Sequence, residues 1–526
     1  MQRSLNVSLP VLLALLALLG AVTPVVGANA QAGPREDPDG DPLGWEDGYW
    51  YDDPVDVTPG DGLDEDELDA VVARSMARVE EIRGLEFERS VPVEVVSRAE
   101  FREEVDAVEV ADERDRLHQN VKFEALFMVE ESADAVAVQR ANRGATVGGY
   151  YDPRSERVVV VSENETAPRV NEVTLAQELF HALQDQHFDV EWENQTTREA
   201  HNALDGLIEG DGNYVDYLYE ERCGSEWDCL ADSAPGAQPG ANDLHYGLYF
   251  LVYQPYSDGP PFVRSVREEG GWEAVNALYD DPPASTEQVI HPEKYGEDAP
   301  TAVEVEDRSD DRWRPLDLAG ETDHAAFGEA GIYSMLWYPS YEATTASGVP
   351  ETVAIPYAHP FNTDTNGRLD GFDPLNYSHP ASAGWDGDSL QPYVTDDSRA
   401  TNETGYVWET AWDSPGDAEE FAAAYRSVLD YHDAERVGER TYRLPDGSGY
   451  GDAVHLAVDG DRVTIVNAPT ADDLSGVHAV DVARVEEERE GEGEGSEATG
   501  PGFGVGVALS ALLVALAALV ARRGRP

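Results

Sequence analysis

Apolar positions return at helical spacing over 63–84, where Leu68, Val71, Val72, Met76, Val79 and Ile82 share a face. Asp64 supplies a cap and Gly84 a stop. The stretch 86–97 reads as a strand on Phe87, Val91, Val93, Val95 and Val96, and 112–143 as mostly helical. Segments 146–151 and 157–162 bracket the turn Asp152-Pro153-Arg154-Ser155 and predict a β-hairpin. Val173, Ala176, Phe180 and Leu183 then make the apolar stripe of a helix over 174–188, with N-cap oxygens on Asn171 and Thr174 and Glu172 in the first turn. A second helix follows over 199–220, with Ala203, Leu207, Tyr214 and Leu218 inward. Gly206, Gly210 and Gly212 weaken it as an isolated helix and read as places where another helix comes close.

Beyond this pair the pattern is aromatic and apolar over 244–256, a buried helix, and helical again over 260–279 with a break at Gly270-Gly271-Trp272. The segment 282–295 reads as a loop with extended pieces. A second half holds a helix at 325–338, a polar Gly/Asn/Pro-rich surface insertion at 346–383, a strand led by 384–388 and a helix at 417–428. Segments 454–458 and 462–466 pair around Asp459-Gly460 as a hairpin. The fold class expected is α+β.

Composition changes the picture outside this body. The chain has 36 Lys plus Arg against 105 Asp plus Glu, a formal net charge of -69, on 41% hydrophobic residues. That is an acidic surface on a globular core, as a protein hydrated in high salt needs, so a halophilic source is expected. No basic patch exists for nucleic acid. Residues 1–30 carry Arg3, an apolar run and Ala28-Asn29-Ala30, which predicts a secretory signal peptide, with a retained anchor as the alternative. Segment 31–62 is an acidic Gly/Pro/Asp-rich linker whose Trp45, Tyr49, Trp50 and Tyr51 suggest partial packing onto the body. Segment 481–500 is an acidic Glu/Gly spacer. Segment 501–526 holds an apolar run, marginal for a membrane span, followed by arginines. Export makes Cys223 and Cys229 a small-loop disulfide rather than a metal pair. Asn164, Asn194, Asn376 and Asn402 lie in glycosylation sequons.

The candidate chemistry sits on the helix over 174–188. Gln177 and His181 are four apart and share a face, with Glu178 one step round. This is the layout of H-E-x-x-H, in which two His hold zinc and the Glu polarises water, with Gln177 in place of the first His. The helix Glu178-Leu179-Phe180-His181-Ala182-Leu183-Gln184-Asp185-Gln186 resembles that of a zinc-metallopeptidase-like family reading H-E-x-x-H-A-L-Q-D-Q. Leu207-Ile208-Glu209-Gly210-Asp211 resembles its third-ligand segment. Further likeness lies in Gly149-Tyr150-Tyr151-Asp152-Pro153, in 282–288 and in His291-Pro292-Glu293-Lys294-Tyr295.

The resemblance implies a zincin-like domain at 63–310, with an edge hairpin and a two-helix metal-type site, followed by a smaller α+β half at 311–480. It implies Glu209 as the third ligand of a gluzincin, Glu178 as the base if the site is active, and Val158 to Val161 as the sheet edge on which an extended peptide lies. The tail Thr499-Gly500-Pro501-Gly502-Phe503 resembles a PGF-type sorting signal of archaeal surface proteins, which implies cleavage, lipid attachment and an extracellular body anchored at its C-terminus. A plain membrane anchor is the alternative.

Three readings of the site stay open. In one, zinc is held by His181, Glu209 and a substitute ligand, for which His187 and His201 are the nearest imidazoles. In another, metal is held without turnover. In the third, His181 is hydrogen-bonded to Glu209 without metal, and Gln177 joins as a neutral donor. A neutral amide is a poor zinc ligand, so zinc is expected to be absent or weak and the protein to bind or build rather than hydrolyse. Expected partners are the membrane, through the tail, and a peptide or cell-envelope ligand. Asp185, Gln184 and Gln186 read as fold-supporting groups, and Tyr150, Tyr151 and Tyr295 as core or rim aromatics.

Overall fold

The computed structural model describes residues 38, 40–57, 62–107, 113–162, 164, 167–188, 195–230 and 244–481. The expected signal peptide, Asn194, most of the acidic spacer and the sorting tail lie outside them. Among the described residues no helix is long and apolar enough to cross a membrane.

The chain is α+β. A two-residue hairpin, β1 (Trp45–Glu46) and β2 (Tyr49–Trp50), packs on α1 (Glu65–Arg83). Asp64, the expected cap, closes a reciprocal capping box with Glu67 at the start of α1, and left-handed Gly84, the expected stop, ends it. Next come β3 (Val93–Ser97), α2 (Arg98–Ala107), α3 (Glu113–Ala125), α4 (Ala135–Thr146), β4 (Gly149–Asp152) and β5 (Arg157–Ser162).

These strands form a sheet in the order β3-β5-β4, with β3 parallel and β4 antiparallel to β5. The edge expected at Val158 to Val161 is therefore misplaced: β5 is central and β4 is an edge. β5 is paired on both sides by β3 and β4, and its Val158 and Val159 are buried.

The helices α5 (Glu172–His187), α6 (Arg198–Arg222) and α7 (Tyr246–Ala277) follow. Gly271, with positive φ, breaks α7 inside the expected Gly270-Gly271-Trp272. Cys223 and Cys229 form the expected disulfide just past α6. The segment expected as loop at 282–295 instead holds α8 (Thr286–Ile290), whose first turn Ser285 caps.

After β6 (Arg314–Pro315) and α9 (Gly328–Ser347) come β7 (Trp385–Val394), α10 (Ser398–Thr401), β8 (Gly405–Trp412) and α11 (Pro415–Tyr431). The chain continues with β9 (Glu435–Arg436), β10 (Thr441–Arg443), β11 (Ala453–Asp459), β12 (Arg462–Ala468) and α12 (Leu474–Val477). An antiparallel sheet runs β6-β7-β8-β12-β11-β10-β9.

The sequence-level boundary near 310 is not a break in packing. One apolar core joins Val121 and Phe123 of α3, Phe250 of α7, Trp337 of α9, Trp408 of β8 and Ile465 of β12. Nor is 346–383 wholly superficial, since Ile355, Leu375 and Tyr377 are fully buried in that core. Of the described sequons, Asn164 is exposed, whereas Asn402 spends its amide on the Glu131 carbonyl at 2.8 Å.

Candidate functional site

α5 begins where Asn171 Oδ1 accepts from the N–H groups of Val173 and Thr174, at 2.9 and 3.1 Å. Leu175, Leu179, Phe180 and Leu183 drive its apolar side into the core shared with α1 and β5. Gln177, Glu178 and His181 are left on the side that meets α6 and β4. α6 is capped by Thr197, and its glycines act as the spacing suggests. A Cβ on Gly210 would lie 2.6 Å from the Gly259 backbone, and one on Gly212 would lie 3.1 Å from His181 Cε1. Only hydrogen fits at the Gly210–Gly259 crossing, and beside the imidazole a Cβ would be tight.

Three of the predicted residues meet at one carboxylate oxygen. His181 Nε2 lies 3.4 Å from Glu209 Oε2, and Gln177 Nε2 donates to the same oxygen at 3.5 Å. The Tyr256 hydroxyl donates to Glu209 Oε1 at 2.8 Å. On its far side, His181 Nδ1 meets Gln184 Oε1 at 2.7 Å. The Gln184 amide nitrogen in turn donates to Ile208 O at 3.0 Å and reaches the Tyr279 hydroxyl at 2.6 Å. Tyr279 donates to Asp211, which is paired with Arg83 at 3.0 Å, both side chains fully buried. The imidazole is thus oriented by a chain of groups ending in a buried ion pair. Glu178 lies on the other flank, against edge strand β4: the Tyr151 N–H donates to it, and a Cβ on Gly149 would sit 3.6 Å from its Cγ.

Charge is dense here. Burial opposes the imidazolium of His181, but Glu209, Glu178 and the Gln184 carbonyl outweigh it and push its pKa up to about 10. Burial, with Glu209 adding and His181 opposing, pushes Glu178 up to about 7. Asp205, one turn before Glu209, is pushed up to about 8 by burial and by Glu209. Asp216 is raised by burial and by Glu178, and its Oδ1 is buried without a hydrogen-bond partner among the described residues.

This donor set does not fit a three-ligand zinc centre. The His181–Glu209 separation of 3.4 Å suits two ligands of one ion as well as it suits a shared proton. At the third corner, however, stands a neutral amide that offers N–H to the carboxylate. Neither substitute imidazole supplies the missing ligand. His187 is turned away to the Glu86 carbonyl at 2.7 Å, and His201 pairs with Asp205 at 3.2 Å. Six residues beyond His181, His187 faces another side of the helix.

Asp185 takes the Tyr151 hydroxyl at 2.7 Å, and Gln186 binds the backbone of Glu88 and Arg89. Tyr150 packs on Phe101 and Tyr295 on Phe262. Gln184, read as fold support, is instead the direct partner of His181. Its spacing of three from His181 was a usable signal, as were the turns that put Asp205 and Asp216 on the Glu209 side of α6. Tyr256 had none, because it arrives from another helix.

A family model described as a domain of unknown function (DUF8575) matches residues 314–478. That match spans β6 to α12 and contains none of Gln177, Glu178, His181 or Glu209. No curated protein matches the chain, and no solved structure does.

Proposed function

We propose that this chain is a degenerate gluzincin-like protein, exported and anchored at the cell surface by its C-terminal tail, which binds a peptide or cell-envelope ligand or serves as structure rather than hydrolysing. The Q-E-x-x-H-A-L-Q-D-Q helix and the Leu207-Ile208-Glu209-Gly210-Asp211 segment support the family. The apolar leader and the Pro501-Gly502-Phe503 tail support the location. The observation that supports the loss of catalysis is the Gln177 amide, a poor zinc donor, standing beside the Glu209 oxygen that His181 also faces. A second reading, an extracellular peptidase with Glu178 as general base, is favoured by one fact: burial brings Glu178 to about 7, where a base is well matched to neutral pH.

Zinc analysis and casein turnover separate the two. The native chain is expected to carry zinc far below one equivalent and to leave casein intact. Restoring the imidazole with Gln177→His is expected to raise zinc affinity by roughly 100-fold or more, since a direct ligand outweighs the groups behind it. One equivalent of zinc in the native chain, with casein turnover that disappears in Glu178→Ala, would overturn the degenerate reading.

A further inference from the structure

A cleft of about 570 Å³ opens on another part of the molecule, between the turn after α3, the N-terminus of α7, the middle of α9 and the loops after α11 and β10. Its volume is that of a small-molecule pocket. Aromatic rings make its walls. The His432 ring stacks on Phe127 at 4.9 Å and stands edge-on to Tyr431 and Tyr450, each at 5.0 Å. Opposite, His245 leans on Tyr338 at 5.3 Å. Met128 and Val129 complete an apolar floor.

The charge in this cleft has one sign. Glu342 is half-buried within it, and Glu130 and Asp433 are exposed at the rim. Among the described residues no lysine or arginine lines it. Both imidazoles are neutral: burial pulls His432 down to about 4 and lowers His245. Burial and the facing Glu130 push Glu342 up to about 7, against the hydroxyl of Tyr338. His432 Nε2 is a buried ring nitrogen with no hydrogen-bond partner among the described residues.

We propose that this cleft binds a small organic ammonium cation, with the tyrosine and imidazole rings on its alkyl shell and Glu342, Glu130 and Asp433 as counter-charges. A positive centre over ring faces is attracted by their quadrupoles, more strongly when desolvated. A hard metal ion fits poorly, because it needs six or more oxygens and the carboxyls of Glu342, Glu130 and Asp433 do not converge as a metal-holding group among the described residues. A neutral ligand would draw nothing from Glu342, Glu130 and Asp433, whose carboxyls give the lining its one sign of charge.

The test is calorimetric titration of the full chain with choline, and separately with its uncharged tert-butyl isostere, in potassium chloride of fixed strength. Saturable choline binding at least about tenfold tighter than the isostere is expected. Glu342→Gln should weaken choline by about tenfold, equivalent to about 1.4 kcal/mol, and Tyr431→Leu by a few-fold. Near-UV circular dichroism checks that each variant is folded. Equal binding of choline and isostere, no saturable choline binding, or unchanged affinity in a folded Glu342→Gln chain would each overturn the proposal. The first two comparisons use the unaltered protein, so they stand even where a variant does not fold.

Discussion

Glu172 shows how far one side chain can exceed its local role. At the first turn of α5 an acid is favoured by the helix dipole. In the folded chain this carboxylate also receives Arg74 at 3.0 Å, Arg78 at 2.5 Å, the Tyr219 hydroxyl at 2.7 Å and the Leu230 N–H at 2.6 Å. Both ion pairs are 1% exposed. It ties α1, α5, the end of α6 and the disulfide loop together behind the site. Glu172→Ala leaves two buried guanidinium groups uncompensated and should cost about 3–5 kcal/mol, read from a denaturant midpoint; a loss under about 1 kcal/mol would contradict this role. The same contrast runs through the site. His181, Gln177 and Glu178 were legible because a helix fixes which residues share a face. Tyr256 was not, because its approach to Glu209 depends on how α7 crosses α6.

Helix crossing is decided by the small residues of α6 and α7. Gly210 and Gly259 bring the two backbones together, and a Cβ on Gly210 has no room. Gly210→Ala is therefore expected to lose about 1–3 kcal/mol through overpacking. Gly148→Ala, where a Cβ meets nothing within 4 Å, should stay within about 0.5 kcal/mol of the native chain. Equal midpoints for the two variants would count against the close-approach reading. Strand placement follows a different logic. Alternation announced the β4–β5 hairpin, but which of its strands is covered was settled by β3 docking in parallel on β5. Likewise Ile355, Leu375 and Tyr377 lie in a polar stretch without period, so their burial comes from the pocket they fill rather than from any local pattern.

Across the molecule, buried carboxyls set the response to pH. Burial pushes Glu199 up to about 8, partly offset by its bonds from Thr286, and separately pushes Asp373 up to about 6. Each has a folded pKa above its unfolded value near 4. The stability they lend is complete below about pH 4 and is lost as pH rises through about 8. At fixed salt, thermal unfolding should therefore shift downward between about pH 6 and pH 9, and the Glu199→Gln chain should shift less over that window. A midpoint that rises there would refute the assignment. The overall charge of -69 adds repulsion of the same sign as pH rises.

Local order was written in the amino-acid sequence alone: the cap at Asp64, the stop at Gly84, the stripe of α5, the disulfide pair and the acidic surface. These depend on neighbours within a turn or two, and the backbone geometry of helix and strand is known in advance. The meeting of α6 with α5 at Glu209, the single core running past residue 310, the choice of β4 as a sheet edge and the aromatic cleft around His432 belong to the tertiary structure. They join segments tens to hundreds of residues apart, and the packing of whole faces, rather than any nearby residue, selects those contacts.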